Sequence, residues 1–140
     1  MRELSATEVD AVIEREGVGV LALSENDVPY SLPMSYGYDR TGERFFMMFG
    51  ANGRKAEYVD ANDVASLTIV EREDYVWRSV LVRGTIDHVP EELERQAFAA
   101  LATTATFPTD LQVWGERLED TTLTMYVLDI EELTGREFRI

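Results

Sequence analysis

The sequence predicts a small, mostly antiparallel β-barrel with covering helices. Six strand-like segments follow one another at short spacing. Helical signals occur only at the start, in the middle and in one later stretch. The regular strand–helix alternation of a doubly wound sheet is missing. An open α+β sheet is the alternative arrangement of the same elements. A length of 140 residues suits one domain with one core, residues 1–140.

The segment "LSATEVDAVIEREG" carries a capping box, Ser5 with Glu8 three residues on. Val9, Val12 and Ile13 form an apolar stripe at helical spacing and Gly17 ends it, so a helix is predicted over about residues 5–16. "GVLALS" is the first strand. "PYSLPMSYGYD" is the second, with Leu32, Met34, Tyr36 and Tyr38 on one face and Ser31, Ser35 and Gly37 on the other. Its two prolines place it where a ladder is interrupted. "DRTGE" turns into "RFFMMFG", a strand apolar enough to be buried on both faces. "GRKAEYVDAN" reads as a short helix and "ASLTIVE" as the fourth strand. In "WRSVLVRGTIDHV", the fifth, Val80, Val82 and Ile86 face one way and Ser79, Arg83, Thr85 and Asp87 the other. "PEELERQAFAALA" is a longer helix with Pro90 at its start. "TATFPTDLQVWGERLED" is irregular or weakly helical, and "TLTMYVLDIEEL" is the sixth strand.

Hydrophobic residues make up 45 % of the chain, so its acidity is laid over an ordinary core. The net charge of −14 repels the phosphates of nucleic acid and anionic lipid, which excludes them as expected partners. Lys55 is the only lysine; the other 12 basic residues are arginine. Abundant carboxylates with almost no lysine fit a salt-adapted, haloarchaeal proteome, where molar salt shortens the Debye length to roughly 3 Å. The absence of cysteine removes disulfide, thiolate and Cys-metal chemistry. "MRELSATEVD" has no apolar signal core and no apolar run approaches membrane-spanning length. A cytoplasmic protein is expected.

The sequence is sparse in catalytic constellations. His88 is the only histidine, which leaves no metal-ligand cluster and no Ser–His–Asp set. Carboxylate pairs such as Glu91–Glu92 and Glu131–Glu132 read as solvated faces. One stretch stands apart, "FGANGRKAEYV". An apolar strand ends at Phe49, Gly50 and Gly53 permit a sharp turn or a close approach to a ligand, and Arg54 and Lys55 open a helix. Cations at a helix N-terminus oppose the macrodipole unless an anion lies between them. A phosphate would draw the free N–H groups, the dipole and both side chains together. Lysine supplies a compact point charge that arginine does not. A surface turn with a lysine retained by chance is the competing reading.

Three segments in order, "PYSLPMSYGYD", "RFFMMFGANGRKAEYVDANDVASLTIV" and "WRSVLVRGTIDHV", resemble the pyridoxamine 5′-phosphate oxidase-like, FMN-binding split-barrel superfamily. The opening helix and "YVLDIEELTGR" resemble its small members near the nitroimidazole-resistance-like branch, so the resemblance covers roughly residues 5–136. It implies a six-stranded split barrel, a homodimer with FMN sites in the interface, and Arg54 and Lys55 on the FMN phosphate. It also implies that Met34, Ser35 and Tyr36 run beside the flavin, that Phe49 and Gly50 line its approach, and that Ser79 contacts it. Strand alternation independently puts Ser79 and Trp77 off the core face. Trp114, in the irregular stretch, would cover the flavin from the partner chain.

Two departures qualify the resemblance. Nitroimidazole-resistance-like relatives often carry histidine where this chain has Phe49. True pyridoxamine phosphate oxidases end in a basic, His-containing segment, whereas this chain reads "LTGREFRI". Pyridoxamine phosphate oxidation is therefore not predicted. The expected function is a flavin-reductase- or nitroreductase-like oxidoreductase acting on a small molecule, with a nicotinamide as one option for the donor. The alternatives are a non-catalytic carrier of flavin or another phosphorylated ligand, and a deazaflavin-dependent reductase. Haem is disfavoured because His88 would be its sole histidine ligand.

Overall fold

A computed structural model describes residues 1–50, 53–106 and 123–140, together with the backbone of 112–113 and 116–117. Helix α1 (Ala6–Glu16) begins at the predicted capping box: Glu8 N donates to Ser5 Oγ at 3.2 Å and Ser5 N donates to Glu8 Oε1 at 3.0 Å. It buries Val9, Val12 and Ile13 and stops at Gly17, whose φ of 74° suits a left-handed cap. The strands are β1 (Arg2–Glu3), β2 (Val18–Glu25), β3 (Val28–Ser35), β4 (Gly37–Asp39), β5 (Arg44–Gly50), β6 (Val64–Glu73), β7 (Val76–His88) and, late in the chain, β10 (Leu123–Arg139). They form one eight-stranded sheet in the order β3-β2-β6-β7-β10-β5-β4, with β1 added to β10, and every pairing is antiparallel.

The two ends of that order, β3 and β4, are separated in the chain by one residue, Tyr36. The sheet must therefore curl until its edges meet, which makes it a barrel split at this seam. The sequence reads residues 29–39 as one strand; the structure breaks it in two. The reason is tertiary. The Tyr36 N–H leaves the ladder and donates to Gly17 O at 3.0 Å. Its buried hydroxyl donates to Ile13 O at 2.6 Å and accepts from Gly17 N at 3.1 Å. On the far side of the break, α3 (Glu94–Thr104) packs directly on the backbone: a Cβ at Gly37 would lie 2.4 Å from Leu101 N. Pro29 and Pro33 sit on β3, an edge strand, where a missing N–H is tolerated.

Strand β5 is buried on both faces, as its composition predicts. Phe45, Met47 and Phe49 enter the barrel core with Leu21, Leu67, Val82 and Leu128, while Phe46 joins Ala97, Leu101 and Val127 beneath α3. Helix α2 (Arg54–Ala61) follows β5 and buries Ala56 and Val59. After Pro90 the chain makes a 3₁₀ turn, Glu91–Leu93, before α3 begins. In the stretch read as irregular or weakly helical, β8 (Gln112–Val113) pairs with β9 (Glu116–Arg117).

Strand β10 exceeds its predicted length. Its first half pairs with β5, and it pairs with β7 from Tyr126 to Arg139 across an irregularity between Ile130 and Glu132. No apolar alternation marks its last residues, because the side chain they bury is the Glu137 carboxylate. Glu137 accepts from Arg2 Nε at 2.8 Å and pairs with Arg78 Nη2 at 3.3 Å. Arg78 also donates to buried Glu71 at 2.8 Å, and Arg15 meets Glu71 in a fork at 2.6 and 2.8 Å. The buried carboxylates are thus each satisfied by arginine, as burial of charge demands. Burial raises the pKa of such groups, but these arginine hydrogen bonds outweigh it and hold both below the usual glutamate range. Among the described residues no helix is long and apolar enough to cross a membrane.

Candidate functional site

Strand β5 delivers Phe49 and Gly50 to the start of α2. The turn closes with Gly53 N donating to Gly50 O at 3.3 Å, and Gly53 becomes the N-cap of α2. Among the described residues no side chain caps this helix. Among the described residues, a Cβ at Gly53 would find only Gly50 O, at 3.7 Å. Arg54 is exposed and Lys55 is half-buried on that turn. Arg54 and Lys55 therefore stand at the positive end of a helix dipole, which favours negative charge.

An aromatic floor lies beneath the lysine. Its Nζ sits 5.8 Å from the centroid of the Phe49 ring. Phe49 in turn stacks face to face on Tyr126, with centroids 3.8 Å apart and planes at 6°. Burial lowers the Lys55 pKa from its ordinary value. Behind Tyr126 stands His88, ring centroids 4.8 Å apart, with His88 Nε2 3.5 Å from Asp60 Oδ1 on α2. Tyr126 is fully buried, and its hydroxyl has no hydrogen-bond partner among the described residues.

The sequence-predicted residues divide into groups. Phe49, Gly50, Arg54 and Lys55 do converge on the start of α2. Met34 and Tyr36 are buried, and the Tyr36 hydroxyl is occupied by Ile13 and Gly17, so these two side chains serve the core. Ser35, half-buried at the end of β3, donates its hydroxyl to the Thr106 carbonyl. Ser79 lies on the outer face of β7, between Val70 and Arg136. Trp114 lies outside the described residues. Tyr126 and His88 were not singled out as site residues. Alternation turns Tyr126 inward, but its partner is settled only by the pairing of β5 with β10, where Phe49 is its diagonal neighbour.

A fold with this strand order and a glycine–arginine–lysine turn between β5 and α2 invites comparison with known proteins. The family model for pyridoxamine 5′-phosphate oxidase matches residues 5–137. The chain belongs to this family. Among solved structures of similar fold is a FAD-binding protein, mll6688, from Mesorhizobium loti. It superposes with a TM-score of 0.78 at 26 % identity, covering 98 % of this chain and 97 % of that one. The FAD binding protein from Mycobacterium smegmatis superposes with a TM-score of 0.74 at 16 % identity, over 100 % of both chains, and shows likeness of fold. In sequence, the uncharacterized protein RA0666 of Rhizobium meliloti (strain 1021) is 30 % identical over 91 residues. That match spans 64 % of this chain and 58 % of RA0666.

Proposed function

We propose that this chain binds FMN and acts as a flavin-dependent oxidoreductase of the flavin-reductase or nitroreductase type, as a homodimer. The observation that carries the reading is the first turn of α2, which no side chain caps among the described residues, with Lys55 and Arg54 on that turn. These residues fit a terminal phosphate: a dianion there satisfies helix N–H groups and both cations. The FAD-binding protein of Mesorhizobium loti, similar over nearly its whole length, supports a flavin as the owner of that phosphate. FMN, whose phosphate is a terminal monoester, suits a single helix terminus better than the internal pyrophosphate of FAD. When bound, the flavin supplies the redox chemistry, and the protein supplies binding and orientation.

The dimer is supported by the outer face of the sheet. Val20, Val70, Leu81 and Phe138 stay 43–47 % exposed there, around Ser79. A second copy on this face would cover them and bring its own side chains to the flavin. The test is a spectrum of the purified protein, followed by titration with FMN and FAD and by NADH or NADPH oxidation with a nitroaromatic or quinone acceptor. Tight FMN binding with turnover is expected. Failure to bind any flavin ends the proposal, and binding without turnover leaves a carrier.

A further inference from the structure

A cavity of about 310 Å³ lies between the β1 segment, the first turns of α1 and the late part of β10. Its volume stands at the lower end of small-molecule sites, roughly 300–1,000 Å³. Among the described residues, none that lines it belongs to α2 or β5. One wall is apolar. Val9 is buried, and Leu4 and Leu133 pack partly buried against the core. Gly135 meets this wall with bare backbone, because a Cβ there would lie 2.7 Å from Val9 Cγ2 and 3.0 Å from Leu4 Cδ1. Leu4 N donates to Gly135 O at 2.9 Å, which ties the two sides together.

The remaining lining is charged with both signs. Asp10 is already engaged: it accepts from the Tyr38 hydroxyl at 2.6 Å and lies 3.8 Å from Arg40 Nη1. Glu3 and Arg136 are exposed and stand directly opposite one another in the β1–β10 register. Among the described residues neither has an ion-pair partner, and Arg136 Nη1 reaches only Met1 Sδ, at 3.9 Å. An exposed pair formed between the two would contribute little, so a ligand that engages both gives up little by separating them.

We propose that this cavity binds a free α-amino acid with an apolar side chain. Such a molecule carries its two opposite charges around one carbon, and cross-strand opposition sets a guanidinium and a carboxylate side by side. The ligand's carboxylate meets the Arg136 fork, its ammonium meets Glu3, and its side chain lies on Leu4, Val9 and Leu133. A plain carboxylic acid would leave Glu3 and Asp10 facing an anion, and a plain amine would leave Arg136 facing a cation. The proposal does not depend on the flavin reading.

The test is an NMR titration of the ¹⁵N-labelled full chain with L-leucine, isoamylamine (no carboxylate) and isocaproate (no ammonium). L-leucine should give saturable shifts at the Leu4 and Gly135 amides, with a Kd on the order of millimolar. Arg136→Gln and Glu3→Gln change exposed side chains, should melt as wild type does, and should each weaken L-leucine about fivefold. The absence of saturable shifts at these amides would overturn the proposal. So would isoamylamine or isocaproate binding as tightly as L-leucine, which would make the cavity a simple cation or anion site. Wild-type affinity in both variants would overturn it too, by removing the charged groups from recognition.

Discussion

Replacing Lys55 by alanine tests the proposed site at its most specific point. Alanine is the best helix former, so the substitution leaves α2 intact and any effect reports the ammonium. At about 4 Å and an effective dielectric near 20, one cation attracts one unit of negative charge by about 4 kcal/mol. Ordering the side chain and stripping water from both partners offsets part of this. A net loss of about 1–3 kcal/mol remains, the usual worth of a hydrogen bond to a charged group. It corresponds to a roughly 5- to 150-fold rise in Kd for FMN. Binding should survive, because Arg54 and the helix dipole stay in place. Lys55→Arg should recover only part of the loss, since a planar fork does not occupy the position of a compact ammonium. Fluorescence quenching of FMN at fixed salt measures each constant. The pH dependence supplies a second check. Burial lowers the Lys55 pKa, so wild-type affinity is complete below that value and falls as pH rises through it. Lys55→Ala should lack this alkaline edge. A Kd within twofold of wild type, or an unchanged edge, would place the phosphate elsewhere.

Further predictions concern the fold that holds the site. Glu71→Gln removes the carboxylate shared by Arg15 and Arg78 and should cost about 1–3 kcal/mol in urea unfolding, moderated because Arg15 can return to solvent. The pKa of both buried carboxyls is depressed on folding, so their stabilisation is complete above the ordinary glutamate value of 4.5 and is lost as pH falls below it. Melting temperature should therefore drop below pH 4.5, and less steeply in Glu71→Gln; equal slopes would refute the assignment. Gly17→Ala forces a Cβ to 2.4 Å from Thr104 O at a φ of 74° and should destabilise on the order of 2 kcal/mol, read by chemical denaturation. Raising KCl from 0.1 M to 1 M should raise the melting temperature, because the chain carries −14 and the Debye length falls from about 10 to 3 Å.

Much of this architecture was legible where local chemistry and tertiary structure agree. The Ser5–Glu8 box and the Val9–Val12–Ile13 stripe carry α1 with no outside help, and the apolar run of β5 announces burial on both faces. The seam was not legible, because the alternation of Leu32, Met34, Tyr36 and Tyr38 continues straight through it. The break depends on a hydrogen bond to Gly17, nineteen residues away. The end of β10 was hidden for a related reason: its buried Glu137 looks like a surface residue until Arg2 and Arg78 are placed beside it. In the site, Lys55 was conspicuous through composition alone. The ring pair beneath it was not, because Phe49 and Tyr126 are 77 positions apart and only the β5–β10 register joins them.

The seam at Tyr36 also governs how the molecule meets others. Among the described residues, a sheet whose two terminal strands are consecutive in the chain offers no long, regular edge on which a foreign strand could add. One rim carries two prolines, and the other is three residues long and overlain by α3. Growth by strand addition, the route to cross-β aggregates, is therefore blocked at both rims. Recognition is left to the broad faces of the barrel, so association can be tight and yet closed.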